Sequence, residues 1–186
     1  MFVKPRPTDR ILDLGCGPAD IVDKLNGCQY VGVDHDPGYI ARARKKYNGR
    51  SQFHLASIAD IDVIEPSSFD IVLSIGVLHH LADAEALHLF QVARESLKPT
   101  GRLVTVDGCL THPQKRLRRF FLGLDRGQYI RERSAYVALA SSVFPDVTAN
   151  VLEALIRIPY THLIMVCSKA GNPKPLVKPA SLLPNA

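Results

Sequence analysis

Six short apolar runs punctuate the chain: RILDL at 10–14, YVGVD at 30–34, FHLAS at 53–57, DIVLSIG at 70–76, RLVTVDG at 102–108 and THLIMVCS at 161–168. Each is nearly continuous in apolar residues and bounded by turn formers, the pattern of strands buried on both faces of a parallel sheet. Between them, helical patterns are predicted at 19–25, 37–47 and 83–97. In the last of these Leu87, Phe90 and Leu97 recur at helical spacing, and Asp83 is the expected N-cap. Alternating strands and helices imply an α/β fold, with a mostly parallel sheet covered by helices on both faces and ligands at the carboxyl ends of the strands.

The first run leads into LGCGPAD. Gly15 and Gly17 permit backbone angles and a close approach that a Cβ would block. A helix beginning near Ala19 would turn free N–H groups toward the same space, which suits a carboxylate or phosphate. Two glycines can also do no more than make a tight turn. Asp34 changes that balance, because it ends the second strand at the sequence distance where nucleotide-binding α/β folds bind ribose hydroxyls. A dinucleotide loop would need a glycine at position 20, where this chain has Asp20, and that departure counts against a nicotinamide cofactor.

These residues resemble the class I S-adenosylmethionine-dependent methyltransferases. LDLGCGPAD is similar to that family's first motif, with Ala19 in its last glycine position; VGVDHDP, SFDIVLSIGVLHHL and ESLKPTGRLVTVDG resemble the later motifs, in order, over about residues 10 to 108. The resemblance implies a Rossmann-like, doubly wound, mostly parallel sheet of seven strands, and S-adenosyl-L-methionine as cofactor. It also implies roles. The backbone at Gly15, Cys16 and Gly17 would meet the methionine end of the cofactor and Asp13 would orient its amino group through water. Asp34 would accept from the ribose hydroxyls, with His35 against the adenine. The family often has an acid facing the adenine amino group; Ser57 stands in its place, beside the main-chain N–H of Ile58. Ser74 would lie near the methionine portion. Cys16 itself reads as a small buried filler, since no neighbouring base or metal partner argues for a thiolate.

Methyl transfer needs alignment and exclusion of water more than it needs a base. For a hydroxyl acceptor a general base helps, and LHHL offers His79 and His80 just past the fourth strand. His79 is the first candidate and Asp107, at the end of LVTVD, the second.

Composition adds one feature. The net charge is +5, and seven basic residues against two acidic ones between Gln114 and Arg133 account for all of it. In HPQKRLRRFFLGL the apolar residues Leu117, Phe120, Phe121 and Leu124 fall on one helical stripe and the cations on the rest, followed by a turn at Gly127 and a second helix through Tyr136 and Ala140. Residues 110–142 are therefore expected to form a helical lid inserted after the fifth strand. Its arginines suit a solvated face, or a phosphorylated or carboxylated small acceptor held by Arg126, Arg131 or Arg133 with Tyr129 beside them. Nucleic acid ranks below these, because aromatic interleaving is limited to Phe120, Phe121 and Tyr129 and no recognised RNA-binding module is appended.

The remaining expectations follow from what the composition lacks. Residues 1–170 read as one domain and 171–186, with four prolines, as a tail. The four cysteines are scattered without metal spacing, so no metal is expected. No apolar run spans a bilayer and the first residues lack a signal-peptide core, which points to the cytoplasm. A monomer and a homodimer both remain open. The principal reading is an enzyme methylating a small acceptor; a regulatory cofactor-binding protein without turnover, an RNA methyltransferase and a nicotinamide-dependent oxidoreductase are the alternatives.

Overall fold

The computed structural model describes residues 2–58, 64–111, 127–153 and 160–170. The strands are β1 (Arg10–Leu14), β2 (Gln29–Asp34), β3 (Gln52–Leu55), β4 (Phe69–Ile75), β5 (Leu97–Leu110), β6 (Arg131–Glu132), β7 (Asp146–Leu152) and β8 (His162–Ser168). The helices are α1 (Pro37–Lys46), α2 (Asp83–Ser96) and α3 (Arg133–Ser141). The sheet runs in the order β3-β2-β1-β4-β5-β8-β7, with the two-residue β6 pairing to the end of β5. The five strands from β3 to β5 are mutually parallel, and β8 is antiparallel to both β5 and β7. This is the expected doubly wound, mostly parallel sheet of seven long strands.

Alternation along the strands sends neighbouring side chains to opposite layers. Ile11, Ile71, Leu73 and Val104 pack with Ile40, Ala43 and Tyr47 of and beside α1. Leu12, Leu14, Val72 and Leu103 pack on the other face, against Ala86, Leu89, Phe90 and Ala93 of α2 and Tyr136 and Ala140 of α3. Both faces are covered, which is why the strands read as continuous apolar runs. The buried stripe of α2 is Ala86, Leu89, Phe90 and Ala93, whereas Leu87, expected in it, is only half-buried.

Four expectations are corrected. The stretch after the glycine loop is a five-residue 3-10 turn, Asp20–Lys24, preceded by Ala19 in the left-handed conformation at φ 59°, and not an α-helix. That angle explains why a glycine suits position 19; alanine adopts it at a cost of about 1–2 kcal/mol. Asp83 is the first residue of α2 rather than its cap: Ala82 is the N-cap, and Glu85 accepts a hydrogen bond from the Ala82 N–H at 2.8 Å. The strand β7 matched none of the six apolar runs, and FHLAS ends as a strand at Leu55. The basic stretch 115–124, Arg126 and the tail 171–186 lie outside the described residues, as does much of the expected lid. Of that lid, residues 110–111 and 127–142 are described, and α3 forms where the second helix was expected.

Candidate functional site

The carboxyl ends of β1, β2 and β4 meet at one edge of the sheet. The N–H groups of Gly15 and Cys16 both donate to the Val33 carbonyl, at 2.8 and 3.0 Å, so the glycine loop is stitched to the end of β2. Gly15 has φ +77° and Gly17 φ +52°, both left-handed. A Cβ at Gly15 would lie 2.5 Å from Val77 Cγ2, just past β4; at Gly17 it would meet nothing within 4 Å. Gly15 thus answers a close approach inside the protein, while Gly17 leaves open space.

Asp34 closes this loop. Its two carboxylate oxygens accept hydrogen bonds from the Gly17 N–H at 2.8 Å and the Asp36 N–H at 2.9 Å. An ionised carboxylate offers about four acceptor positions, so two main-chain bonds hold the group while leaving capacity for hydroxyl donors. His35 is an exposed neighbour, its Nδ1 3.7 Å from Asp34. Asp36, which the sequence reading missed, caps α1 by accepting from the Gly38 and Tyr39 N–H groups.

Asp13 lies under the loop, 2% exposed. The Tyr30 hydroxyl donates to its Oδ2 at 2.6 Å, and its Oδ1 is buried with no partner among the described residues. Tyr30 could have been found from strand register alone, since Asp13 faces Gly32 across the β1–β2 ladder and Tyr30 lies on the same face two residues earlier. Burial pushes the Asp13 carboxyl up to about 6, against the lowering effect of the Tyr30 hydrogen bond, with the Asp34 charge adding to the rise. The unfolded chain releases this proton near pH 4 and the folded chain holds it until about pH 6, so stability falls as pH rises across that window. Asp13→Asn should therefore gain on the wild type between pH 4 and 6, by about 2–3 kcal/mol at the upper end, in parallel thermal melts. A constant difference would contradict the assignment.

The Cys16 thiol is pushed up by burial and by the charges of Asp13 and Asp34, which opposes a thiolate; its sulfur packs against Gly32, where a Cβ would approach it to 2.8 Å. Ser57 is exposed, and Ile58 is half-buried with its carbonyl accepting from His88 at 3.2 Å. Ser74 is fully buried near the end of β4, in register with Thr105, and the hydroxyls of both have no hydrogen-bond partner among the described residues.

The acceptor-side candidates come together. Asp107 Oδ1 lies 2.9 Å from His79 Nδ1 and also accepts from the His79 main-chain N–H at 3.3 Å; both side chains are buried. An ionised carboxylate is only an acceptor, so opposite one Nδ1 would carry a proton, and a neutral ring would then hold its lone pair at Nε2. The sequence reading named the two residues as separate candidates, and the structure makes them one pair. Tyr129 is 42% exposed beside it. Arg131 is otherwise engaged: its guanidinium donates to Asp83, Leu78, Tyr129 and Leu81, all within 3.0 Å, which occupies all five N–H groups.

Among the described residues no cluster of His, Cys, Asp and Glu is arranged to hold a metal ion, and no helix is long and apolar enough to cross a membrane. A family model described as a methyltransferase domain matches residues 11–101, from β1 into the start of β5, the span that carries the glycine loop, Asp34 and His79. Over that span, just under half of its length, the chain is similar to the class I S-adenosylmethionine-dependent methyltransferases. It is 30% identical over 126 residues to a ubiquinone biosynthesis O-methyltransferase of Nitrobacter winogradskyi, covering 65% of this chain and 45% of that protein. It is 34% identical over 119 residues to a trans-aconitate 2-methyltransferase of Methylobacterium nodulans, covering 61% and 44%. The chain thus spans less than half the length of these relatives. A geranyl diphosphate C-methyltransferase of Streptomyces coelicolor, solved with Mg2+, geranyl diphosphate and S-adenosyl-L-homocysteine, shares the fold: TM-score 0.68 at 12% identity, covering 88% of this chain and 74% of that one.

Proposed function

We propose that this methyltransferase chain binds S-adenosylmethionine along the Gly15–Gly17 loop and transfers its methyl group to the oxygen of a small-molecule acceptor. The reading is carried by one observation: Asp34 holds the Gly17 N–H while keeping acceptor capacity, so that loop and carboxylate form a single cradle at the sheet edge. The orphaned Asp13 Oδ1 fits a cationic amino group, directly or through water, and Ser74 lies close to the same end of β4. His35 flanks the sugar site, and Ser57 and Ile58, past the end of β3, border the adenine end.

The bound cofactor supplies a methyl group on a sulfonium leaving group. The protein aligns the acceptor and excludes water. His79, its ring fixed by Asp107, takes the hydroxyl proton at Nε2 as the oxygen–carbon bond forms and the carbon–sulfur bond breaks, leaving methylated product and S-adenosylhomocysteine. Tyr129 forms the exposed aromatic wall beside this pair. An oxygen acceptor is supported by the names of curated relatives, which include several ubiquinone biosynthesis O-methyltransferases. Arg131 has no N–H left for an anionic acceptor, which leaves a carboxylated or phosphorylated substrate to Arg126 or Arg133.

Calorimetry tests the cradle. Asp34→Ala should weaken S-adenosylmethionine about 100-fold, since each hydrogen bond to a carboxylate contributes about 1.5–3 kcal/mol. Binding that is unchanged, or preferential binding of a nicotinamide dinucleotide, would overturn the proposal.

A further inference from the structure

The short turn Leu78–His80 presents His79, and its backbone carbonyls are bonded in an unusual way. Leu78 and Leu81 carbonyls accept from Arg131 at 2.9 and 2.7 Å, and the His79 carbonyl between them accepts from the Tyr129 N–H at 2.9 Å. The same guanidinium grips Asp83 Oδ1 through two N–H groups, at 2.9 and 2.6 Å, and lies 5.8 and 5.6 Å from the ring centres of Tyr129 and Tyr136. Its side chain is 9% exposed although Asp83 is open to solvent, so the carbonyl contacts sit on the sheltered side of the clamp. Gly127 completes the arrangement, because a Cβ there would lie 2.3 Å from His79 Cδ2. Gly127 therefore lies against the imidazole, and Tyr129 and Arg131 follow along the carbonyls of the turn.

We propose that Arg131 is the positioning residue of the acceptor side, fastening residues 127–131 across the histidine turn and holding His79 in the orientation that Asp107 requires. The inference rests on the reading of His79 as the acceptor-side base and adds what keeps that base in place. A planar fork is needed here. Its donors diverge toward three carbonyls and a carboxylate at once, which the three donors of a lysine ammonium, grouped at one atom, do not span.

The test uses the full chain with 15N-labelled histidine, and reads the ring directly. Long-range 1H–15N correlation should show His79 of the wild type as one species protonated at Nδ1. Arg131→Met and Arg131→Lys should both give averaging between tautomers and amide exchange at His80 and Leu81 faster by about tenfold, the signature of a turn released from its neighbours. S-adenosylmethionine affinity should stay within about threefold, because Arg131 donates to Asp83, Leu78, Leu81 and Tyr129 and to none of Gly15, Cys16 and Gly17. Should Arg131→Met not fold, Asp83→Asn keeps the guanidinium and should shift the same signals in the same direction. An unchanged tautomer and unchanged exchange in these variants would overturn the proposal, and so would loss of cofactor binding together with the other signals, which marks a general structural role. Methylation surviving in His79→Ala would remove the base and leave the ring measurements standing, so the two failures are separable.

Discussion

Gly15→Ala should abolish measurable S-adenosylmethionine binding and lower the thermal midpoint, whereas Gly17→Ala should be tolerated by the fold. At Gly15 two costs coincide. The residue has φ +77°, where an L side chain is strained by about 1–3 kcal/mol, and the new methyl would sit 2.5 Å from Val77 Cγ2. Valine has no long flexible arm to swing aside, so the backbone must yield, at a further 1–3 kcal/mol or so. Moving the loop breaks the Gly15 and Cys16 hydrogen bonds to the Val33 carbonyl and displaces the Gly17 N–H from Asp34. The cradle is lost as a unit, and affinity should fall by more than about 100-fold on the basis of those energies. Gly17→Ala meets nothing within 4 Å, so its folding cost is the backbone strain alone, about 1–2 kcal/mol. Calorimetry and melting curves of the two variants side by side decide the matter. Equal, mild effects would mean that Val77 does not constrain the loop.

The contrast between these glycines also shows where sequence reasoning stops. LDLGCG announces a loop needing bare backbone, because glycine is the residue that takes positive φ without strain. Nothing in that string says that Val77, more than sixty residues on, is the reason for one glycine and not the other. The core strands were legible because both faces are buried; β7 was not, since all seven of its residues are half-buried at the sheet edge and leave neither a continuous run nor an alternation. The turn after the loop read as helical from its apolar spacing, but Ala19 in the left-handed conformation leads only into a short 3-10 turn. Arg131 was visible as a charge among charges. Its destination, two carbonyls flanking His79 and a carboxylate at the start of α2, depends on tertiary placement that composition does not encode.

His79→Ala and Asp107→Asn should each lower methyl transfer by about 10²–10⁴-fold without weakening the cofactor, the range over which a positioned acid or base contributes. The argument is geometric. The β4–β5 ladder sets Ile75 opposite Val106, so the residues just beyond that pair, Asp107 and the turn through His79, arrive at the same end of the sheet. There Asp107 Oδ1 engages both Nδ1 and the main-chain N–H of His79, fixing the ring, while the second carboxylate oxygen is buried with no partner among the described residues. Asparagine keeps the volume but can turn its amide N–H toward Nδ1, which favours the tautomer whose Nε2 carries the proton and cannot accept another. Both variants retain Asp13, Gly15 and Asp34, so calorimetric affinity for S-adenosylmethionine should remain within about threefold, as for sites sharing no partners. The assay supplies methyl-labelled S-adenosylmethionine and a metabolite extract and follows label in product. With wild-type protein the rate should fall on the acidic side with the slope of one proton, because a base works only when unprotonated, and that limb should vanish in His79→Ala. A variant rate within threefold of wild type, with the acidic limb intact, would show that the acceptor gives up its proton without His79.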